Sequence, residues 1–119
     1  MFKLDVSAAY FAPVSLPMLN SDGVLENHQF DARFKRLTTA EVEALHAEAM
    51  TKKGLQDEPL LRRVLVGWRG VQDADGVETP FSPEALDKMM AINGLRAALA
   101  RSFMQSLDPQ QGAVLSAKN

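Results

Sequence analysis

The sequence contains no cysteine and only two histidines, so residues that often carry catalysis or bind metals are scarce. Without cysteine, a disulfide framework, a thiolate metal site and a cysteine nucleophile are excluded. Neither His28 nor His46 has a second histidine or a carboxylate at a metal-ligand spacing such as H-E-x-x-H. We interpret both as packing or surface residues and predict no catalytic residue, no metal and no cofactor.

Motifs for phosphate binding, nucleophilic catalysis and membrane insertion are also missing. The chain has no P-loop, no G-x-G-x-x-G, no G-x-S-x-G and no run of about 20 apolar residues. A calcium loop at Asp73–Gly76 fails because its glycine comes too early and a third acidic ligand is absent, so these residues predict a plain acidic turn. Met1–Asp5 lacks the pattern of a signal peptide. These absences predict a cytoplasmic protein without a membrane partner and without enzymatic activity.

Charge of one sign is not in excess. The 13 basic and 15 acidic residues give a net charge of −2, whereas nucleic-acid binders usually have a strongly basic face. This balance disfavours nucleic acid as a partner. One alternative stays open, because residues 86–101 have the outline of a helix-turn-helix in which Arg96 and Arg101 could contact phosphates.

What is present is enough for one hydrophobic core: 119 residues, of which 46% are hydrophobic. Alternation at Val14–Met18, a turn at Asn20–Gly23 and a second segment at Val24–Phe34 predict a β-hairpin. Pro13 and Pro17 predict that its first strand lies at a sheet edge.

Helix signals dominate after Leu37. Thr38–Glu41 forms a capping box, Asp57–Pro59 suits a helix start, and Ser82–Glu84 places serine as cap before proline. Within the second helix, 3,4-spacing predicts one apolar stripe formed by Leu61, Val64, Leu65 and Trp68. Asn93-Gly94 separates a third helix from a last one at Leu95–Leu107.

These signals predict an α+β fold that is mostly helical, with an N-terminal β-hairpin followed by about four α-helices. Residues 1–109 form the predicted domain, and residues 110–119 form a mobile polar tail. Some large side chains of the last two helices are either ordinary core or an adaptable partner-binding groove, since methionine suits both. These candidates are Met89, Met90, Phe103 and Met104.

One stretch is similar to a known family. Val66–Val71 is followed by Asp73, by Asp75-Gly76 and by Pro80–Leu86, after a leucine-rich helix, and Phe34–Thr38 leads into an acidic helix further upstream. This order and spacing, over about residues 13–107, resembles the tail assembly chaperones of long-tailed bacteriophages and prophages. Within the motif we interpret Trp68 as a core anchor, and Gly67 and Gly70 as residues that permit close packing and the helix exit.

The resemblance implies a non-enzymatic protein of the host bacterial cytoplasm. Such chaperones bind the tape measure protein, keep it soluble until tail tube protein polymerises around it, and tend to form homo-oligomers. A frameshifted longer form often exists, and Ala117-Lys118-Asn119 is compatible with a slippery codon run. The alternatives are a structural tail or head–tail connector protein and a small DNA-binding regulator.

Overall fold

Three strands and four helices make up the part of the chain that the structure, a computed structural model, describes, which is residues 2–109. The predicted tail at 110–119, with the proposed frameshift position, lies outside these residues. The elements in chain order are β1 (Ala9–Leu19), β2 (Leu25–Lys35), α1 (Thr39–Ala49), α2 (Asp57–Val64), β3 (Leu65–Arg69), α3 (Pro83–Met90) and α4 (Leu95–Leu107).

The predicted hairpin is present and is longer than expected. β1 and β2 pair antiparallel in one continuous register from Ala9↔Lys35 to Leu19↔Leu25. Between them the Asn20 side chain accepts hydrogen bonds from the amides of Asp22 and Val24, each at 2.9 Å. Gly23 has a φ of 79°, a left-handed conformation that glycine adopts without strain. Local turn chemistry therefore sets this register.

The predicted helix starts are confirmed. The Thr38 hydroxyl accepts from the Glu41 amide at 3.2 Å, and Glu41 Oε1 accepts from the Thr38 amide at 3.0 Å. The Ser82 hydroxyl accepts from the Ala85 amide at 3.0 Å. The break before α4 falls at Gly94, whose φ is 88°. Each signal is a contact between neighbours in sequence, which is why sequence alone could locate it.

The prediction of a mostly helical fold is wrong. Helices account for 38% and strands for 27% of the described residues. The difference comes from β3, a third strand that pairs antiparallel with β2 where the sequence predicted the end of the second helix. α2 stops at Val64, and the chain then extends through Leu65–Arg69.

A β-bulge explains why β3 resembled a helix. Arg33 pairs with Gly67 and Phe34 pairs with Leu65, so Val66 is the extra residue. In a regular strand, residues on one face are two apart, but the bulge makes Leu65 and Trp68 both buried although they are three apart. That spacing is the one that also marks one face of a helix.

The prolines protect an exposed strand edge, since the sheet order is β1-β2-β3 with β1 outermost. The Pro13 carbonyl accepts from Ser102 Oγ at 2.7 Å, so this residue faces α4 and not β2. Pro17 has the same parity and therefore faces the same way. At both positions the outer edge offers no N–H, which hinders pairing with another strand.

One core joins the inner sheet face to the helices. It includes Ala32 and Phe34, both 0% exposed, and Phe103 of α4 lies edge-on to Phe34 with ring centroids 5.1 Å apart. β3 pairs with β2 only at Asp31–Phe34. We call residues 9–14 with 30–35 the proximal half of the hairpin. Residues 15–19 with 25–29 form the distal half, which extends beyond β3.

Candidate functional site

A cleft of about 400 Å³, lined by apolar and polar groups in similar measure, lies between the distal half of the hairpin, the chain that follows β3 and the corner between α3 and α4. We call this cleft the distal groove. Its apolar wall comes from Leu16, Met18, Phe30, Val71, Met89 and Ile92.

Glycine is required at two positions beside the distal groove. A Cβ on Gly94 would lie 3.3 Å from Leu16 Cδ1, which is a tight contact, so the helix corner approaches the inner hairpin face closely because Gly94 has no side chain. At Gly70 an added Cβ would make only an ordinary contact, 3.7 Å from Phe30 Cβ. Both glycines have positive φ values, 88° and 80°, which glycine adopts without strain.

The chain that follows β3 forms another wall of the distal groove, and it contains a turn with the same hydrogen-bond pattern as the hairpin turn. Asp73 Oδ1 accepts from the amides of Asp75 and Val77 at 2.9 and 3.0 Å, as Asn20 does in the sequence N-x-D-G-V. The Gly76 amide donates to the Asp73 carbonyl at 3.1 Å, and Gln72 bridges to Glu78. The predicted turn at Asp73–Gly76 is thus confirmed, as a small hairpin loop beside the groove.

The Trp68 indole fixes that loop to the sheet. Trp68 is buried, its Nε1 donates to the Thr79 carbonyl at 2.7 Å, and its ring lies edge-on to Phe81 at 4.9 Å. Gly67 sits opposite Arg33, where an added Cβ would make an ordinary contact at 3.5 Å. The motif residues Gly67, Trp68 and Gly70 therefore build the sheet edge and the loop wall.

Two exposed apolar side chains lie on opposite rims of the distal groove: Met18, which is 38% exposed, and Ile92. At the hairpin tip, Leu19 and Leu25 pair with each other and are 68% and 66% exposed. They have the opposite parity to Leu16 and Met18, so they lie on the other face of the hairpin. Exposed apolar rims of this kind are a common mark of an interaction site.

The four candidate contact residues do not share one surface. Met89 is buried and lines the distal groove, whereas Phe103 is fully buried in the core. Met90 is half-buried and lines a separate small cleft beside Asn93 and Arg96. Met104 is exposed on α4. Of this set, Met89 belongs to the groove, and sequence spacing missed its partners Leu16, Met18 and Val71 because they come from other elements.

Polar groups mark the ends of the distal groove. His28 and Gln29 come from β2 and Asp73 from the loop.

Elsewhere, hydrogen bonds from Thr38 lower the pKa of Glu41, and Lys35 adds to that effect. The carboxylates of Asp87 and Glu58 raise the pKa of Arg62, which links α2 to α3. Within residues 2–109 no cluster of histidine, aspartate or glutamate could hold a metal ion.

A family model described as YdaY prophage protein matches residues 25–100, which is more than half of the chain. The chain belongs to the YdaY prophage protein family. No curated protein and no solved structure matches it. The phage or prophage origin that the sequence resemblance implied is therefore shown, while the tail assembly chaperone role is still a prediction.

The family match covers most of the distal groove. Apart from Leu16 and Met18, its lining residues fall within 25–100. No helix among the described residues of this prophage protein has both the length and the apolarity needed to cross a membrane. The distal groove is thus a surface feature that lies largely within the part of the chain that the family model matches.

Proposed function

We propose that this prophage protein is a tail assembly chaperone of the host bacterial cytoplasm, which holds an amphipathic helix of the tape measure protein in the distal groove. The observation that carries the proposal is the apolar wall of the distal groove, with Met18 and Ile92 exposed on its opposite rims. The family match to prophage proteins and the resemblance of residues 13–107 to tail assembly chaperones support it.

The apolar wall of the distal groove suits a helix with an apolar stripe. A tape measure helix without its partners exposes apolar residues at 3,4-spacing, and this stripe promotes aggregation. A groove that accepts such a stripe needs apolar walls, and adaptable side chains let it accept several sequences. Met18 and Met89 supply unbranched, polarisable side chains on two sides of the groove.

The polar groups at the groove ends suit the polar edges of the same helix. Asp73 lies in the loop after β3 and His28 on β2, so both can contact the polar side of a helix whose apolar stripe points inwards. This arrangement matches the usual anatomy of a binding surface, with an apolar centre and a polar rim.

Co-expression with a tape measure fragment tests the proposal. The native chain should keep the fragment in the soluble fraction and co-purify with it. Met18→Asp and Ile92→Asp place a charge in the groove at exposed positions, so they should lower fragment binding at least tenfold while the folded circular dichroism spectrum is retained.

Val66→Asp is the matched control. Val66 is an exposed apolar residue on the outer face of β3, outside the distal groove, so the same change of charge there should leave binding intact. A fragment that stays insoluble with the native chain would contradict the chaperone role. Equal loss of binding in all three variants would contradict the assignment of the groove.

A further inference from the structure

Lysine and arginine are missing from the two segments that form the hairpin wall and the loop wall of the distal groove. These segments are residues 15–29, the distal half of the hairpin with its turn, and residues 70–79, the loop after β3. Of the 15 acidic residues they hold five, and of the 13 basic residues none, so the rest of the chain has a net charge of +3. We call the five carboxylates the acidic rim. They are Asp22, Glu26, Asp73, Asp75 and Glu78.

The register places this negative charge beside the groove. Glu26 lies directly opposite Met18 and shares the parity of His28, and the latter two residues line the groove. On the loop, Asp73 lines the groove itself, and Asp75 is exposed two residues further along. Carboxylates therefore lie on both the hairpin wall and the loop wall.

The acidic rim has no basic partner within residues 2–109, where none of its members forms a salt bridge. Asp73 and Glu78 accept hydrogen bonds only from backbone amides, which leave the negative charge in place. Uncompensated charges of one sign at one end of a molecule attract a partner of the opposite sign. Carboxylates elsewhere on the chain do pair with lysine or arginine, namely Asp31, Glu41, Glu48, Glu58 and Asp87.

The negative charge of Asp73 is not required by its own turn. Asn20 occupies the same position in the hairpin turn, and its neutral side-chain oxygen accepts the same two amide hydrogen bonds, each at 2.9 Å. The glycines of the two turns, Gly23 and Gly76, have nearly the same φ values, 79° and 77°. Turn chemistry therefore explains an oxygen acceptor at position 73 but not a charged one.

We propose that the tape measure segment held in the distal groove is a basic amphipathic helix, with lysine or arginine flanking its apolar stripe. This inference rests on the chaperone role proposed above. The apolar stripe contacts Met18, Met89 and Ile92, and the flanking cations reach the acidic rim. Lysine and arginine suit these positions because their methylene stems can lie along apolar walls while their charged ends remain in solvent.

The remaining wall, at the corner between α3 and α4, directs the cations of the helix towards the other two walls. Its described lining residues are apolar: Met89, Ile92 and Leu95. The basic residues nearest to them in sequence are Lys88 and Arg96, and neither lines the groove. An acidic helix would meet uncompensated carboxylates on the hairpin and the loop, which disfavours it. Nucleic acid, with its phosphate charges, is disfavoured for the same reason.

Two synthetic helical peptides of about 18 residues, added to the full chain, test the preference for a basic helix. They share one leucine stripe at 3,4-spacing and differ only at the flanking positions, which are lysine in one peptide and glutamate in the other. Fluorescence anisotropy should show about tenfold tighter binding of the lysine peptide. The difference should fall to about twofold when the salt concentration is raised from about 0.05 M to about 0.5 M.

Neutral variants of the chain locate the charges that select the peptide. Glu26→Gln/Asp73→Asn removes two charges from the acidic rim and keeps an oxygen acceptor in the turn, so it should weaken binding of the lysine peptide about fivefold. Asp5→Asn/Glu43→Gln removes two exposed charges outside the rim. It is the matched control and should bind the lysine peptide as the native chain does.

Equal affinity of the native chain for the two peptides, or no binding of either, would overturn the inference. So would an equal loss of lysine-peptide binding in the two double variants, because the charge of the whole molecule and not the rim would then be responsible. The chaperone role is tested separately, since co-expression measures the solubility of the tape measure fragment whatever its charge. A fragment that is kept soluble, together with equal peptide affinities, would refute only the basic character of the helix.

Discussion

The proximal and distal halves of the hairpin share two strands and one register, but they differ in what covers them. In the proximal half, Phe34 is buried under α4, and Arg69 covers the outer face of the sheet. The Arg69 guanidinium carbon lies 3.9 Å from the centroid of the Phe11 ring, and Arg69 Nε donates to Asp31 Oδ2 at 2.8 Å. In the distal half, Leu19 and Leu25 pair across the strands and are both exposed. The same backbone pairing therefore supports a core at one end and a free apolar surface at the other.

Because of this difference, the proximal half contributes to the stability of the fold, whereas the distal half offers apolar surface for binding. A two-stranded hairpin is marginal alone, so the distal half depends on the proximal half for its order. Its exposed apolar side chains bury little area in this structure and contribute little to folding. Burial of these side chains by another molecule would contribute free energy to binding. For this reason the proposed binding site lies in the distal half.

The largest expected effect on stability tests the difference between the two halves of the hairpin. Phe34→Ala removes a fully buried ring that contacts Phe103, and it should lower the free energy of unfolding by about 3–5 kcal/mol. Leu25→Ala at the exposed tip should change it by less than about 0.5 kcal/mol. Urea denaturation of both variants measures the contrast, and similar shifts in the two midpoints would refute the division into halves.

A smaller effect concerns the loop that connects the proximal half to the distal groove. Trp68→Phe removes the bond from Nε1 to the Thr79 carbonyl and part of a buried ring system, which should cost about 2 kcal/mol. Hydrogen exchange should also accelerate in residues 71–79, because this bond holds the loop. Unchanged exchange there would show that the turn bonds of Asp73 suffice without the indole.

Sequence predicted the elements whose signals are local. The Thr38–Glu41 and Ser82 caps and both glycine turns involve residues at most four apart, and the structure contains all of them. The prediction from sequence failed at β3, where the bulge at Val66 places Leu65 and Trp68 on one face of the strand at a helical spacing. Only the pairing partner in β2 decides between the two interpretations, and that partner is more than 30 residues away.

The candidate site was predictable only in part. Met89 was singled out as an adaptable side chain, and it lines the distal groove. The groove itself needs Leu16 and Met18 from β1 and Val71 from the loop, which come together only through the hairpin register and the close approach at Gly94. No periodicity within one segment contains that information.

A third prediction uses the two equivalent turns, one at the distal tip and one beside β3. Gly23 and Gly76 have φ values of 79° and 77°, and an added Cβ would meet nothing within 4 Å at either. Alanine therefore costs only backbone strain, about 1 kcal/mol at each position. Equal shifts in thermal denaturation are expected if the protein unfolds as one unit. A shift for Gly76→Ala alone would mean that the distal half opens separately.

The smallest expected effect is a pH dependence at the junction of α1 with the proximal half. Glu41 is exposed, accepts from the Thr38 amide at 3.0 Å and lies 3.6 Å from Lys35 at the end of β2. Because these contacts lower its pKa in the folded state, the unfolded chain binds the proton more readily. The stabilisation is therefore present above the unfolded pKa of about 4.3 and is lost as the pH falls through the folded value.

Glu41→Gln isolates this contribution, since the amide oxygen can still accept from Thr38 but cannot titrate. The variant should lose less stability than the native chain between pH 5 and about pH 3, as measured by urea denaturation at each pH. Glu43→Gln, two residues further along α1 and without a contact to the Thr38 cap, serves as the control and should follow the native profile. If Glu41→Gln follows the native profile as well, other carboxylates cause the acid sensitivity, and the capping box holds α1 against the proximal half equally well in either charge state.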